Sequence, residues 1–400
     1  MIDKEREATY QRLRKQGERL VLAVQDTTTF NFNRHKHTQG LGVLEDNHTT
    51  GFFAHTTLAV SPSGIPMGLL DQQVWSRPHN PHSGRKDNAH RALPITEKES
   101  MKWLTGLRGS LEPQPAWQTV TICDREADIY ELFQEAHNLG AGFIVRAVRD
   151  RKLENDSGLK AVLLQLPCLL QFKLQLERHD GQTARQAQVE LRYTTLALKP
   201  PKNRNAANTA FPLSSLSVQV IEVLEKTPPQ GIAALHWILL TNLPIENVET
   251  AQKWVRFYGY RWLVERFHFV LKSGGCHFEG SQLRTFEALT RFLALCSAVA
   301  WRILWITYQA RQTPDAPCTS VLTDPEWQAL SAYMTGSPHP LSKPPNLRQA
   351  TRWIGQLGGF IGRKQDGEPG VKVLWRGWQT FQSIFSAWLI FHPSPDVGNV

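Results

Sequence analysis

The chain is expected to be an α/β protein whose core is interrupted by an antiparallel β insertion and followed by a mainly helical C-terminal segment. Three observations predict this. Apolar runs that read as buried strands alternate with helical periodicity up to about residue 149 and resume after 233. Between them the pattern switches to strict polar and apolar alternation, as in Gln171-Phe172-Lys173-Leu174-Gln175-Leu176, the period of a sheet with one solvated face. Beyond about residue 316 only helical patterns remain. The expected boundaries are 1–149 and 233–315 for the two parts of the core, 150–232 for the insertion, and 316–400 for the helical region.

Residues 1–19 are charged with helical spacing and lead into Arg19-Leu-Val-Leu-Ala-Val-Gln-Asp26, a buried strand with an Asp at its C-terminal end. Residues 50–60 and 66–74 are also strand-like, and a loop rich in His, Asn, Pro, Ser and Gly covers 79–88. Residues 97–107 read as a helix. A second apolar strand, 117–124, again ends in an acid, Asp124, and precedes a helix at 127–138 and a strand at 142–146. Within the insertion, 199–205 is a basic turn. Residues 237–241 return to buried-strand character, 248–273 form one long helix, and 285–311 form a second, apolar one. Pro-rich stretches at 312–317 and 337–345 suggest a boundary before the last helices.

Lys and Arg number 45 against 36 Asp and Glu, giving a formal net charge of +9, which favours a polyanionic partner. The five Cys are odd in number and form no C-x-x-C pair, which argues against a disulfide framework or a zinc site and fits a reducing cytoplasm. No apolar run approaches the roughly 18–20 residues of a membrane span, so no membrane partner is expected. The N-terminus lacks the apolar stretch of a signal peptide.

On a wheel of about 100° per residue, Tyr258, Arg261, Glu265 and Lys272 fall within an arc of roughly 60°, opposite Leu263, Phe267 and Val270. A carboxylate flanked by cations and a phenol suggests metal-dependent chemistry on a polyanion if Asp26 and Asp124 converge with Glu265 at one edge of the sheet. Hard divalent cations prefer such oxygens, and two ions about 3.5–4 Å apart can activate an attacking oxygen and stabilise a leaving one without a Ser or Cys nucleophile. Spacing alone also permits unrelated caps and surface acids.

Three motifs decide between these readings. Asp26-Thr-Thr-Thr, Asp124-Arg-Glu-Ala-Asp128-Ile-Tyr and the Tyr258, Arg261, Glu265, Lys272 set resemble the signatures of the IS4-like DDE transposases, Tn5 type, whose last motif is Y-x2-R-x3-E-x6-K. Further similarity occurs at Leu357-Gly-Gly-Phe360 and Leu374-Trp-Arg-Gly-Trp378. The resemblance implies an RNase H-like catalytic core and a C-terminal dimerisation segment. It implies that Asp26, Asp124 and Glu265 are catalytic and hold two Mg²⁺ or Mn²⁺ ions. The implied activity is cut-and-paste DNA transposition: hydrolysis at a transposon end releases a 3′-OH, which forms a hairpin and, once that is reopened, joins target DNA.

Tyr258, Arg261 and Lys272 are then expected to contact phosphates. By its spacing Trp237 matches a Trp that stacks on a flipped base, although a Trp in an apolar strand is also ordinary core. Arg146 matches an Arg used at the DNA end, or is a surface ion pair. Arg125, Glu126 and Asp128 are expected to brace the site through ion pairs, Thr27 and Thr28 to cap a turn, and the His35, His37, His79 and His82 segments to be solvated loops. Partners would be double-stranded DNA, as transposon ends and target, and a second copy in a synaptic dimer, in a prokaryotic cytoplasm at the nucleoid. The first Asp lies 26 residues from the start, where members carry an end-recognition domain, so a truncated form is expected. The alternative is a non-catalytic regulator that inhibits transposition by dimerising.

Overall fold

β-Branched and aromatic runs build the sheet that dominates the first part of the chain. In the computed structural model, which describes residues 2–46, 48–78, 93–111, 117–176, 184–201, 212–363 and 365–392, two units separate: Met1–Gly64 with Leu69–Glu265, and Ile65–Gly68 with Arg266–Val400.

In the first unit, helix α1 (Ile2–Gln16) precedes strands β1 (Leu20–Asn31), β2 (Gly42–Val43), β3 (Thr50–Val60) and, from Leu69 on, β4 (Pro66–Trp75). Helix α2 (Met101–Gly109), β5 (Gln118–Cys123), helix α3 (Tyr130–Asn138) and β6 (Gly142–Arg146) follow. A short helix α4 (Leu159–Leu163) leads to β7 (Leu170–Leu176), β8 (Arg185–Leu198), β9 (Leu216–Glu225) and β10 (His236–Thr241). These strands form one ten-stranded mixed sheet in the order β2-β3-β1-β5-β6-β10-β9-β8-β7, with β4 also on β3. Strand β1 runs parallel to β5, and β5 parallel to β6, whereas β3 is antiparallel to β1. The alternating stretch is antiparallel throughout, as its period requires, and it prolongs the same sheet through β9 on β10.

Alternation along the central strands explains why both faces are apolar. Cys123, Phe143, Val145, Ile238 and Leu240 join Trp103, Leu107, Phe133 and Ala136 of α2 and α3 in one core. Val120, Ile122 and Ile144 point the other way and are equally buried. Asp128 is 2% exposed and Arg151 8%; Arg151 Nε and Nη2 both donate to Asp128 Oδ1, and Oδ2 accepts the Val148 and Arg149 amides at 2.9 Å. This pair, which the sequence anticipated only as a generic brace, ties the turn after Asp124 to the segment after β6.

Several sequence expectations need correction. Asp26 does not end its strand, because β1 continues to Asn31 on its antiparallel partner β3. Thr27 and Thr28 are therefore strand residues and cap no turn. The long helix expected at 248–273 is three pieces: α5 (Val248–Gly259), α6 (Trp262–Phe269) and a π-helical turn at Val270–Gly274. At the first break the bonds tighten to i→i+3, with Tyr260 N–H on Phe257 O and Arg261 N–H on Tyr258 O, both at 3.0 Å. The 79–88 loop and residues 202–205 of the basic turn lie outside the described residues.

The second unit is helical: α7 (Phe286–Gln312), α8 (Asp324–Thr335), α9 (Leu347–Leu357) and α10 (Val371–Phe391). Contrary to the sequence reading, α7 is long and apolar enough to cross a membrane, with a mean hydropathy of 1.5 over its best window, but half of that window is buried within the protein. Its Arg302 donates to both Glu326 carboxylate oxygens at 2.9 Å and lies over the Trp378 ring, as suits a core helix. The two glycine motifs find their reason where α9 meets α10. A Cβ on Gly377 would lie 1.7 Å from Ile354 O, and one on Gly358 2.1 Å from Val373 O, so only glycine permits these backbones to touch.

Candidate active site

The parallel pairing of β1 with β5 sets the geometry of the two aspartates. Val24 is level with Ile122, the last pair of the β1–β5 ladder; Asp26 lies two residues further along β1, and Asp124 is the first residue past the end of β5, near enough for the two carboxylates to repel each other. Strand β5 stops at Cys123, so Asp124 leaves the sheet there, and its side chain accepts the Glu126 amide at 2.9 Å. Burial raises the Asp124 pKa above the usual carboxylate range; the Glu126 bond opposes this, the Asp26 charge adds to it, and Arg261 relieves it. The neighbouring Cys123 thiol is pushed up by complete burial and offers no thiolate.

The third acid comes from the broken helix. Arg261, at the break, donates to Glu265 at 2.5 Å, and the two side chains are 20% and 29% exposed. Burial alone would lower the Arg261 pKa, but the Glu265 carboxylate it bonds and the Asp26 charge outweigh that and raise the group. Tyr258 is 3% exposed and lines a cavity with Arg261 and Glu265. Burial raises its phenol, while Arg261 and Arg146 draw it back down. Asp26, Asp124, Glu265, Tyr258, Arg261 and Arg146 thus all belong to the first unit and interact electrostatically around Arg261 and Tyr258. Lys272 belongs to the second unit, on the π-helical turn.

Trp237 and Arg146 converge on the same place. The Trp237 ring meets Tyr258 edge-on at 4.9 Å, and Arg146 donates to the His236 carbonyl at 3.0 Å. Both line a cavity of about 920 Å³ together with Tyr258, Arg261 and Glu265. Arg146 is therefore no isolated surface ion pair, and Trp237 is half-buried at a cavity wall, not sealed in the core.

With this arrangement the donor chemistry fits a hard divalent cation: two neighbouring carboxylates that repel each other, and a third acid bonded to the arginine that both of them feel. As placed, no three His, Cys, Asp or Glu side chains among the described residues enclose an ion, and Glu265 rests on Arg261. Glu265 would have to turn from Arg261 to join the other two.

Residues 96–302, just over half of the chain, match the Transposase DDE domain family. The chain belongs to the DDE transposase family. Residues 298–388 match the Transposase Tn5 dimerisation domain, in keeping with the Tn5-like character of the motifs. In this DDE transposase the first match takes in Asp124, Arg146, Trp237, Tyr258, Arg261, Glu265 and Lys272, and Asp26 lies upstream of it. Among solved structures, a cryo-EM piggyBac transposase synaptic complex with hairpin DNA aligns at TM-score 0.40 and 9% identity, over 99% of this chain and 61% of that one. The likeness is remote.

The cavity also holds residues that sequence reasoning missed. Lys173 comes from β7, and Lys253 and Arg256 from α5. Six cations line it against Glu249 and Glu265, and one of the six, Arg185, is neutralised by a bidentate pair with Glu225. Lys253 sits 4.9 Å above the Trp254 ring. A continuous wheel places Lys253 and Arg256 roughly 140–160° from Tyr258, which hid them; their own i, i+3 spacing on one turn was the available signal.

The raised Asp124 pKa gives a testable consequence. Folded Asp124 holds its proton to higher pH than the unfolded chain does, so its ionised form costs stability at neutral pH, and that cost disappears as pH falls below the folded pKa. Asp124→Asn, which can still accept the Glu126 amide, is expected to melt above the wild type at pH 7 and to lose that advantage towards pH 4, read by thermal unfolding without added metal.

Proposed function

We propose that this DDE transposase is a DNA transposase of the IS4 and Tn5 type that cuts and joins DNA at insertion-sequence ends, with an RNase H-like catalytic core. The observation that carries the reading is the approach of Asp26 and Asp124 at the end of the parallel β1–β5 ladder, with Glu265 tied to them through Arg261. The mixed sheet, with its parallel β1, β5 and β6, supports the core assignment. Asp26, Asp124 and Glu265 would hold two Mg²⁺ or Mn²⁺ ions. When bound, these would supply Lewis-acid activation of the attacking oxygen and neutralise charge on the leaving oxygen.

The chain's own groups do the rest. Arg261 carries a charge fixed by its acidic neighbours, and release of Glu265 frees its guanidinium fork for a phosphate. Tyr258, protonated because buried, donates a hydroxyl hydrogen bond, and Arg146 adds a second cation at the cavity wall. Lys272 is proposed as a further phosphate contact. Trp237 offers an aromatic face for an unpaired base. In hydrolysis the water oxygen bonds to phosphorus while the P–O3′ bond breaks and the 3′ oxygen takes up a proton. In joining, that 3′-OH loses its proton and displaces a 3′ oxygen of the target. Both are in-line displacements, so one positioned site serves both. Lys173, Lys253 and Arg256 would hold the strand leading away from the scissile phosphate.

The purified chain with Mn²⁺ and a pre-cleaved transposon end is expected to join that end to plasmid DNA. Glu265→Ala should lower the rate by at least about 10³-fold; unchanged joining would remove Glu265 from the site. A chain that dimerises yet joins no end DNA would favour the second reading, a dimerising regulator, which the 298–388 match supports. Replacing Lys253 and Arg256 together by Ala should flatten the slope of log K for end DNA against log salt by about 1.4–1.8, measured by fluorescence anisotropy. An unaltered slope would mean that neither touches phosphate.

A further inference from the structure

A buried polar relay runs through the sheet directly behind Asp26. Side chains alternate along β1, so Gln25 and Thr27 face away from the side that carries Asp26. Across β3 the register sets Thr27 opposite His55, Asp26 opposite Thr56 and Gln25 opposite Thr57. His55 reaches both residues that flank Asp26: its Nδ1 lies 2.9 Å from Thr27 Oγ1 and its Nε2 3.0 Å from Gln25 Oε1. Gln25 Nε2 then donates to Thr121 Oγ1 on β5 at 2.6 Å, and Thr121 donates to the Ala23 carbonyl at 3.3 Å.

In the placed Gln25 amide the nitrogen donates to Thr121, so the oxygen accepts and His55 donates from Nε2; its Nδ1 shares the second bond with the Thr27 hydroxyl. Gln25, His55 and Thr121 are all 0% exposed. Packing holds them there: Trp103 meets the His55 ring edge-on at 4.6 Å, and Gly106 of α2 lies so close that an added Cβ would stand 2.4 Å from Gln25 Oε1. Three strands are thereby stitched by side chains at the level where two of them deliver an aspartate.

We propose that His55 is a positioning residue for the Asp26 and Asp124 pair. By bonding both neighbours of Asp26, and through Gln25 the strand that leads into Asp124, it fixes the relative position of the two carboxylates so that they share a divalent cation. The inference rests on the reading of those aspartates as ion ligands. A β-ladder alone holds strand spacing; the relay adds a lock against small shear between β1 and β5, to which a shared ion is sensitive.

The test is Mn²⁺ affinity of the purified, DNA-free chain, from free-ion electron paramagnetic resonance, with melting temperature alongside. Thr27→Val removes one hydroxyl with little change of volume, and His55→Leu removes the hub. Both are expected to weaken Mn²⁺ binding about tenfold or more, and Thr27→Ser should restore it. Should His55→Leu fail to fold, Thr27→Val and Thr27→Ser decide alone. Wild-type Mn²⁺ affinity in Thr27→Val, with or without a lower melting temperature, would overturn the proposal and leave the aspartates' role intact. Mn²⁺ binding unaffected by Asp26→Asn and Asp124→Asn would instead overturn the reading on which it rests.

Discussion

The parallel register of β1 with β5 is the constraint on which the site depends. It leads Asp26 and Asp124 towards one another, sets two like charges close together, and so creates a demand for positive charge. Arg261 meets part of that demand in the protein alone, with Glu265 as its partner. The fold accepts an unfavourable carboxylate pair because the surrounding strands are buried on both faces and fixed by many ladder bonds. Destabilisation concentrated at a site is the usual mark of function.

Around that pair, the broken helix turns an amphipathic pattern into a cleft wall. The tightened turn at Tyr260 and Arg261 ends α5 and restarts the chain as α6. Tyr258 thereby packs against Trp237 while Arg261 faces the acids. Strands β7 and β8, at the far edge of the same sheet, supply the opposite part of the cavity lining, so the antiparallel stretch shapes the cavity as well as extending the sheet.

Much of this was legible in the sequence, and the failures have physical causes. The strands carrying Asp26 and Asp124 announce themselves as apolar runs, and the insertion by its period of two. Asp26 looked terminal because hydrophobicity stops there, but Thr27, Thr28 and Thr29 are β-branched and keep the backbone extended on β3. The helix break was invisible because Tyr260 and Arg261 are tolerable helix residues, and only Gly259 hinted at it. Lys253 and Arg256 were missed for another reason: they share α5 with Tyr258 but lie far round its wheel from it, and only the fold brings them to the same cavity. The apolar helix Phe286–Gln312 passed as shorter than a span because scattered polar residues interrupt its run, although its average is high. The His55 relay needed tertiary structure, since nothing local marks a histidine at 55 as partner of residues at 25 and 27.

The central claim is that Asp26, Asp124 and Glu265 form one divalent-cation site in which Glu265 exchanges Arg261 for metal. Anomalous diffraction from crystals soaked in Mn²⁺ tests it most directly. The account predicts an anomalous peak shared by the Asp26 and Asp124 carboxylates, with Glu265 turned from Arg261 towards it. Mn²⁺ bound elsewhere, or a fully occupied Mn²⁺ site at the aspartates with Glu265 still on Arg261, would contradict it.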